Sequence, residues 1–420
     1  MKRFYHVFLA AVAVLFVTSA ETASFQSPSI GARATGMAGA YVAAVDDPLA
    51  IYWNPAGLFQ VEGQQVIAGS TFVKGYASYE TLTGQTEDNH PEWIPIPHLA
   101  FSMPVNEDVI WGMGLYAPFG LKQEWDDESL YKYNSTESEI SLTKLHTGIS
   151  YRVNDKFVTG AGIGWDWANM DAKSISLLSY FPPDPSPYFA NLDSTAEGEN
   201  YSANIGFLWF PAEEWSIGGV WRSKTTIDFE GSVTLTTGVY PRETRDLDME
   251  FTFPDVVSIG TCYKGLDKWL FTAQVDWTGW SSMDSLVQKL DSPISLYNLT
   301  DPFTPAATDQ LVIERNWEDT YSFRLGTEYQ LNPDLALRAG YMWDPAAVPQ
   351  ETLDPMMFDV SAHRFSIGLG YKFGDWEIDS AYMYSKGKMK EARNSKNIFP
   401  TDGDYRGKSH VGEVSFIYHF

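Results

Sequence analysis

Apolar and polar residues alternate along most of this chain. Ahead of a short polar turn at 153–156, Leu145, Thr147, Ile149, Tyr151 and Val153 share one face, and Lys144, His146, Gly148, Ser150 and Arg152 the other. After it, Phe157, Thr159, Ala161, Ile163, Trp165 and Trp167 oppose Lys156, Val158, Gly160, Gly162, Gly164 and Asp166. An apolar face ending in aromatics, set against a polar or glycine face at period two, is the pattern of a strand with lipid on one side and a lumen on the other. The unit recurs around turns at 211–214, 265–268, 331–334 and 374–375, and more weakly at 104–108. Six turns join twelve strands. A leading strand over 65–79 and a closing one over 410–420 bring the total to fourteen. An even count suits a closed antiparallel barrel, and closure is forced once strands face lipid, because an open edge would leave backbone groups unpaired. Seven longer connections, near 80–97, 118–139, 171–199, 230–250, 281–315, 345–361 and 387–408, alternate with the short turns. Short turns on one side and long loops on the other place the long loops outside the cell. The fold class expected is therefore all-β, a fourteen-stranded transmembrane barrel.

Two stretches break the alternation. Lys2 and Arg3 precede an apolar run over 8–17, and Thr18, Ser19 and Ala20 follow it, as in a secretory signal peptide. Cleavage is expected after Ala20, with Ala23 as the alternative. Residues 29–58 are instead dense in glycine and alanine and end in Asn54, Pro55 and Ala56. Small side chains allow close backbone approach, yet the stretch has too few bulky apolar groups for a core of its own. It reads as a plug for the barrel. The expected organisation is a signal peptide over 1–20, an N-terminal hatch over 21–62 and the barrel over 63–420.

Composition narrows the function. Of 420 residues, 44% are hydrophobic and 15% aromatic, and no second apolar run reaches the length of a spanning helix. The formal charge of −25 speaks against nucleic acid, which basic patches bind. The single cysteine, Cys262, excludes a disulfide within the chain and a Cys-rich metal site. His98, His146, His363 and His410 lack metal-ligand spacing, and the serine-rich strands offer no nucleophile elbow. No cofactor, metal or catalytic residue is expected, and the chain does not read as an enzyme. The closing strand ends in Phe420, with Val414, Phe416 and Tyr418 on its face, resembling substrates of the outer-membrane assembly machinery.

Gly31, Gly36, Ala38 to Ala40, Asp47-Pro48 and Asn54 to Gly57 resemble the N-terminal hatch of the FadL/TodX family of outer-membrane transporters for long-chain fatty acids and aromatic hydrocarbons. Ala117 to Leu121, Phe253 to Val256, Val275 to Trp280, Asn316 to Thr320, Leu337 to Tyr341 and Arg364 to Tyr371 are similar to blocks along that family's barrel, so the resemblance spans almost the whole mature chain. It implies a hatch-plugged barrel in the Gram-negative outer membrane. Hydrophobic small molecules, long-chain fatty acids foremost among them, would pass from a loop groove to a deeper pocket and leave sideways at an inward kink of the third strand. A dry lateral exit makes physical sense, since hydrating each buried methylene costs about 0.8 kcal/mol. Relatives that act as docking barrels in secretion, and a nonselective porin, are the alternatives.

The third strand carries Gly112, Gly114, Leu115, Tyr116, Ala117 and Pro118. Proline removes a ladder donor and glycine weakens pairing, so these form a candidate lateral gate, bending inward to meet Asn54, Pro55 and Ala56. The alternative is that Pro118 simply ends the strand. A candidate substrate groove lies between the loops at 118–139 and 171–199, with Phe119, Leu121, Trp125, Leu177, Leu178 and Phe181. Those loops packing on each other as a lid is the competing reading. Inward-facing glycines make room for plug and ligand, or relieve crowding. Inward cations (Lys144, Arg152, Arg222, Arg324, Arg338, Arg364 and Lys372) pair with carboxylates, or one or two hold a substrate carboxylate. The lipid partners are outer-membrane lipid and lipopolysaccharide, with acidic loop residues either solvated or bridged to its phosphates by divalent ions.

Overall fold

A computed structural model describes residues 25–130, 132–179, 187–237, 242–296, 306–397 and 401–420. The expected signal peptide and Phe181 lie outside these residues. Fourteen strands build the wall: β1 Gln65–Thr81, β2 Ile94–Pro104, β3 Val109–Glu124, β4 Glu137–Asn154, β5 Phe157–Ser179, β6 Pro187–Ala212, β7 Trp215–Arg222, β8 Val256–Leu266, β9 Trp269–Thr278, β10 Thr320–Asn332, β11 Leu335–Asp344, β12 Ala362–Phe373, β13 Trp376–Gly387 and β14 Gly403–His419. Each pairs antiparallel with the next. β14 returns to β1 from Gln65↔His419 to Thr81↔Gly403, which seals the cylinder. The six short turns fall where the alternation puts them. The apolar face is outward, with Ile163 67% and Ile367 64% exposed, as lipid contact requires of a barrel seen without its lipid.

The outer side departs from the expected loops. β3 does not stop at Pro118 but runs to Glu124, so its connection to β4 shrinks to 125–136. Most of 171–199 is strand as well. The stretches at 230–250 and 281–315 are hairpins, Thr225–Thr237 with Glu243–Phe253 and Ser285–Leu296 with Ala306–Glu314. The cause is a continued alternation: Ile227, Phe229, Val233 and Leu235 are buried alongside Leu247, Met249, Phe251 and Phe253, while Asp228, Glu230, Asp248 and Glu250 face out. Acidic residues on the outer face made these strands look like loops. The first hairpin continues the sheet on the outer half of β6, from Ala190↔Thr237 to Glu197↔Glu230. The connection at 345–361 folds inward and buries Leu353, Phe358 and Val360.

The N-terminal stretch over 25–61 is almost wholly buried. It contains α1 Ala32–Gly36, α2 Ala50–Trp53 and a 3-10 helix Pro55–Gln60. Between these the backbone is irregular, so its polar groups need partners that a ladder does not supply. Inward side chains provide them. Gln274 Oε1 accepts from the amides of Tyr41 and Val42, both at 2.9 Å. Ser216 donates to the Ala43 carbonyl at 2.7 Å, Asn204 to that of Ile51 at 2.8 Å, and Ser366 to that of Gly36 at 3.0 Å. Most inward glycines abut the same stretch. A Cβ at Gly160 would collide with the Ala56 nitrogen, one at Gly218 with the Val42 carbonyl and one at Gly340 with the Met37–Ala38 peptide. Room for this stretch, not strand curvature, accounts for these three glycines.

Ion pairs tie the stretch to the wall. Arg33 reaches Glu328 at 3.0 Å, Arg338 reaches the same carboxylate at 2.7 Å, and Arg338 also pairs with Asp379. Removing one partner of such a network leaves the others charged and buried, at a cost of about 3–5 kcal/mol. Arg338→Ala should therefore lower the denaturant concentration at which the folded, heat-modifiable form is lost. A midpoint within error of the parent would contradict a coupled network.

Candidate functional site

The inward side of β3 is where the wall, the N-terminal stretch and an internal cavity meet. β2 and β3 pair only from Leu99↔Leu115 to Pro104↔Ile110. Farther out, residues 94–98 of β2 pair with β1 alone. β3 meanwhile bulges between Tyr116 and Phe119, placing both Ala117 and Pro118 opposite Thr143 of β4. The two strands reconnect near the rim, where the His90 amide donates to the Glu124 carbonyl at 2.8 Å and Asn89 Nδ2 to Gln123 Oε1 at 3.1 Å. A gap in the ladder is thus bounded by residues 94–98 and 116–122. Pro95 and Pro97 alternate on β2 and Pro118 lies across the gap on β3, so three missing N–H donors flank the place where pairing lapses. Pro95 and Pro97 were the sequence signal that marked this gap and that a reading of β3 alone missed. Ile94, Ile96 and Ala117 belong to one apolar cluster with Val73 and Val411.

Inside, residues 25–27 run alongside β3. The Ser27 amide donates to the Pro118 carbonyl at 2.9 Å, and the Gly120 amide to that of Phe25 at 2.7 Å. Phe25 sits among the rings of Phe119, Phe251, Phe253, Trp280 and Trp317, with centroids 4.9 to 5.9 Å away. Beside this aromatic chamber is a cavity of about 30 Å³ lined by Tyr52, Tyr116, Lys144, His146 and Arg222, roughly enough for a water or two. A smaller one of about 10 Å³ lies on the other side of Gln26, near Arg324 and Asp276. Tyr52 and Tyr116 meet edge-on at 5.1 Å, and Tyr116 Oη is 2.6 Å from His146 Nδ1.

The charges here are unequally matched. Lys144 Nζ is 3.3 Å from Asp166, whose other oxygen accepts from Thr225 at 2.6 Å. Arg324 and Asp276 are 2.5 Å apart, and Arg364 and Asp344 2.8 Å. Arg222 differs. Its guanidinium lies 4.8 Å from the Tyr52 ring centroid and donates to Ser258 at 3.1 Å. Among the described residues no carboxylate pairs with it, and its buried Nε has no hydrogen-bond partner. Above the membrane, burial pulls the Lys390 ammonium below its ordinary pKa, against Asp359 and Glu318.

The residues singled out from sequence are thus only partly brought together. Tyr116, Ala117, Pro118 and Phe119 form the bend, and Leu115 is the last β3 residue paired to β2. Gly112 and Gly114 do not loosen the strand. Their ladders are intact on both sides, and a Cβ there would meet Leu58 and Ile51 respectively. Asn54, Pro55 and Ala56 do not meet the bend either; they seat against β5 and β6. Asn54 Oδ1 accepts from the Ala56 amide at 3.1 Å, capping the 3-10 helix with Pro55 at its first position. Asn54 Nδ2 donates to the carbonyls of Val42 at 2.9 Å and Phe207 at 3.0 Å. Phe119, Leu121 and Trp125 are buried in the aromatic chamber, not lining an open groove. Leu177 and Leu178 lie on the outer end of β5, opposite Phe189 and Tyr188. The described parts of the two connections pack on each other, with the Ile175 amide donating to Lys132 at 2.6 Å and Tyr133 stacked on Phe189 at 5.7 Å.

Residues 13–420 match the model of a family described as outer membrane protein transport protein (OMPP1/FadL/TodX). A long-chain fatty acid transport protein of Escherichia coli O6:H1 is 22% identical over 98% of each chain. The crystal structure of a Pseudomonas aeruginosa FadL homologue is similar in fold, with a TM-score of 0.82 at 19% identity over 95% of this chain and 100% of that one. The Pseudomonas putida toluene transporter TodX aligns with a TM-score of 0.73 at 19% identity, over 95% and 100%.

The seat of Asn54 gives a direct test. Asn54→Asp keeps the cap acceptor but loses both donors to backbone carbonyls, a loss of about 1–3 kcal/mol. Amide exchange around Ala56 should speed up by about tenfold or more while the wall strands stay protected. Unchanged protection of the 3-10 helix would contradict this account of the motif.

Proposed function

Because the chain belongs to the OMPP1/FadL/TodX family, we propose that it is an outer-membrane channel for hydrophobic molecules of a Gram-negative bacterium, and that its cargo carries an anionic head, as a long-chain fatty acid does. Members of this family are transport channels and not enzymes. The observation that carries the choice of cargo is Arg222, a cation without an ionic partner at the cavity beside the wall gap. A toluene-like hydrocarbon has no use for it, whereas a carboxylate can take a charge-assisted bond from its guanidinium.

The path assigned to the cargo runs from the aromatic chamber, through the cavity, to the gap between β2 and β3. Phe25 occupies the chamber where an acyl tail would lie, so cargo must displace it. A cavity of about 30 Å³ also excludes an acyl chain until something moves. At the gap the tail meets Ile94, Ile96 and Ala117 and passes into lipid without crossing water, which spares about 0.8 kcal/mol per methylene. A nonselective porin is disfavoured because the bore is filled.

Two substitutions separate cargo from exit. Arg222→Gln should lower uptake of radiolabelled palmitate about tenfold and leave toluene flux near the parent value, since only the acid loses a charged partner worth about 1.5–3 kcal/mol. Equal effects on both compounds would refute the anionic head. Ala117→Trp should instead depress flux of both by filling the gap. Full flux through that variant would rule out a lateral exit there.

A further inference from the structure

The outward face of the wall carries a second feature, independent of the cargo. On β13, β14 and β1 basic residues follow the apolar or aromatic lipid-facing positions within two neighbouring rows of the ladder. β14 presents Phe416, Val414 and Gly412, then His410 and Lys408. β1 presents Phe72 and then Lys74, and β13 presents Tyr382 and Tyr384 before Lys386. The strands hold these groups side by side. Lys386 is directly opposite Lys408, Lys74 opposite His410, and Tyr76 opposite Lys408. Neighbouring side chains at such positions stand about 5 Å apart, and like charges there repel.

The sheet bears that repulsion without local relief. Among the described residues, no carboxylate pairs with Lys74, Lys386, Lys388 or Lys408. Arg406 is matched, to Glu80 at 2.9 Å, and Arg393 to Asp404 at 2.8 Å. The free ammonium groups rest on aromatic rings instead. Lys408 and Lys74 flank Tyr76 at 4.9 and 5.6 Å from its centroid, and Lys388 lies 4.4 Å from that of Trp343. All this stands on a chain whose formal charge is −25. Elsewhere on the outer wall, outward positions include the acidic Asp171, Glu197 and Glu199, and Lys173 is matched to Glu137 at 2.5 Å.

Height identifies the neighbour. From Trp376 to Lys386 is about 33 Å of strand, or about 25 Å along the membrane normal at the usual tilt, which is the thickness of a barrel's apolar band. The patch therefore sits at the headgroups of the outer leaflet, with an aromatic girdle beneath it. We propose that β13, β14 and β1 form a docking site for lipopolysaccharide, with Lys386 and Lys408 gripping a phosphate of lipid A, Lys74 and Lys388 flanking it, and the tyrosines below packed on its acyl chains.

The test uses the full-length protein in detergent and purified rough lipopolysaccharide, with binding read by native mass spectrometry. Lys386→Gln/Lys408→Gln should weaken binding about tenfold or more, given the size of a lysine's attraction to an anionic leaflet. Lys173→Gln on the opposite wall should leave it unchanged, and dephosphorylated lipid A should bind the parent no better than the double variant does. Heat-modifiability shows whether the double variant is folded. Should it fail to fold, Lys74→Gln and Lys388→Gln, each expected to weaken binding severalfold, give the reading. Undiminished binding by folded variants, or equal binding of dephosphorylated lipid A, would overturn the proposal.

Discussion

Backbone hydrogen bonding in a solvent that offers none governs this molecule. Lipid drives wall strands to pair on both sides, and from β3 through β14 and back to β2 each strand is hydrogen-bonded to the next. The filled bore meets the same demand by other means. The N-terminal stretch is too irregular to pair with itself, so Gln274, Ser216, Asn204 and Ser366 supply its amides and carbonyls with partners from the wall. The gap between β2 and β3 is tolerable for a related reason. Prolines at 95, 97 and 118 have no N–H to leave unsatisfied, and on the inner side residues 25–27 take up the bonding of β3.

Charge follows the same economy inside the barrel. Arg338, Arg324, Arg364 and Lys144 each have a carboxylate close by, as buried ions require. These pairs hold shape; they are not free to bind anything. Arg222 stands out only against that background, and its position between Tyr52 of the N-terminal stretch and Ser258 of β8 puts it where that stretch, the wall and the cavity share a boundary.

Much of the architecture was legible in the chain. Alternation located the short turns and fourteen wall strands because lipid on one side and a filled lumen on the other impose opposite chemistry on adjacent residues. Small residues at 29–58 pointed to tight packing for the same reason glycine lines the facing wall. What escaped was the outer half. Above the membrane the outward face is wet, so strands such as Thr225–Thr237 carry Asp228 and Glu230 where membrane strands carry aromatics, and polarity hid the alternation. The partners of Asn54 escaped too. A motif announces a helix cap, but only the three-dimensional path of residues 25–61 sets it against Phe207 on β6, away from the bend in β3. Nor does sequence order reveal that Pro95 and Pro97 face Pro118 across a seam.

On the proposed reading, the same energies set which cargo can open the chamber. Freeing residues 25–27 from β3 gives up two backbone bonds, about 1 kcal/mol each, and withdraws Phe25 from its ring cage, about 2–3 kcal/mol. The total, about 4–5 kcal/mol, is matched by the burial of five or six methylenes at about 0.8 kcal/mol each. A long acyl chain exceeds that threshold with a dozen methylenes and can displace the aromatic ring while its head engages Arg222. A short acid cannot, however well its carboxylate fits. Selection by chain length then needs no dedicated ruler in the protein: it follows from the chamber already holding an apolar group of its own.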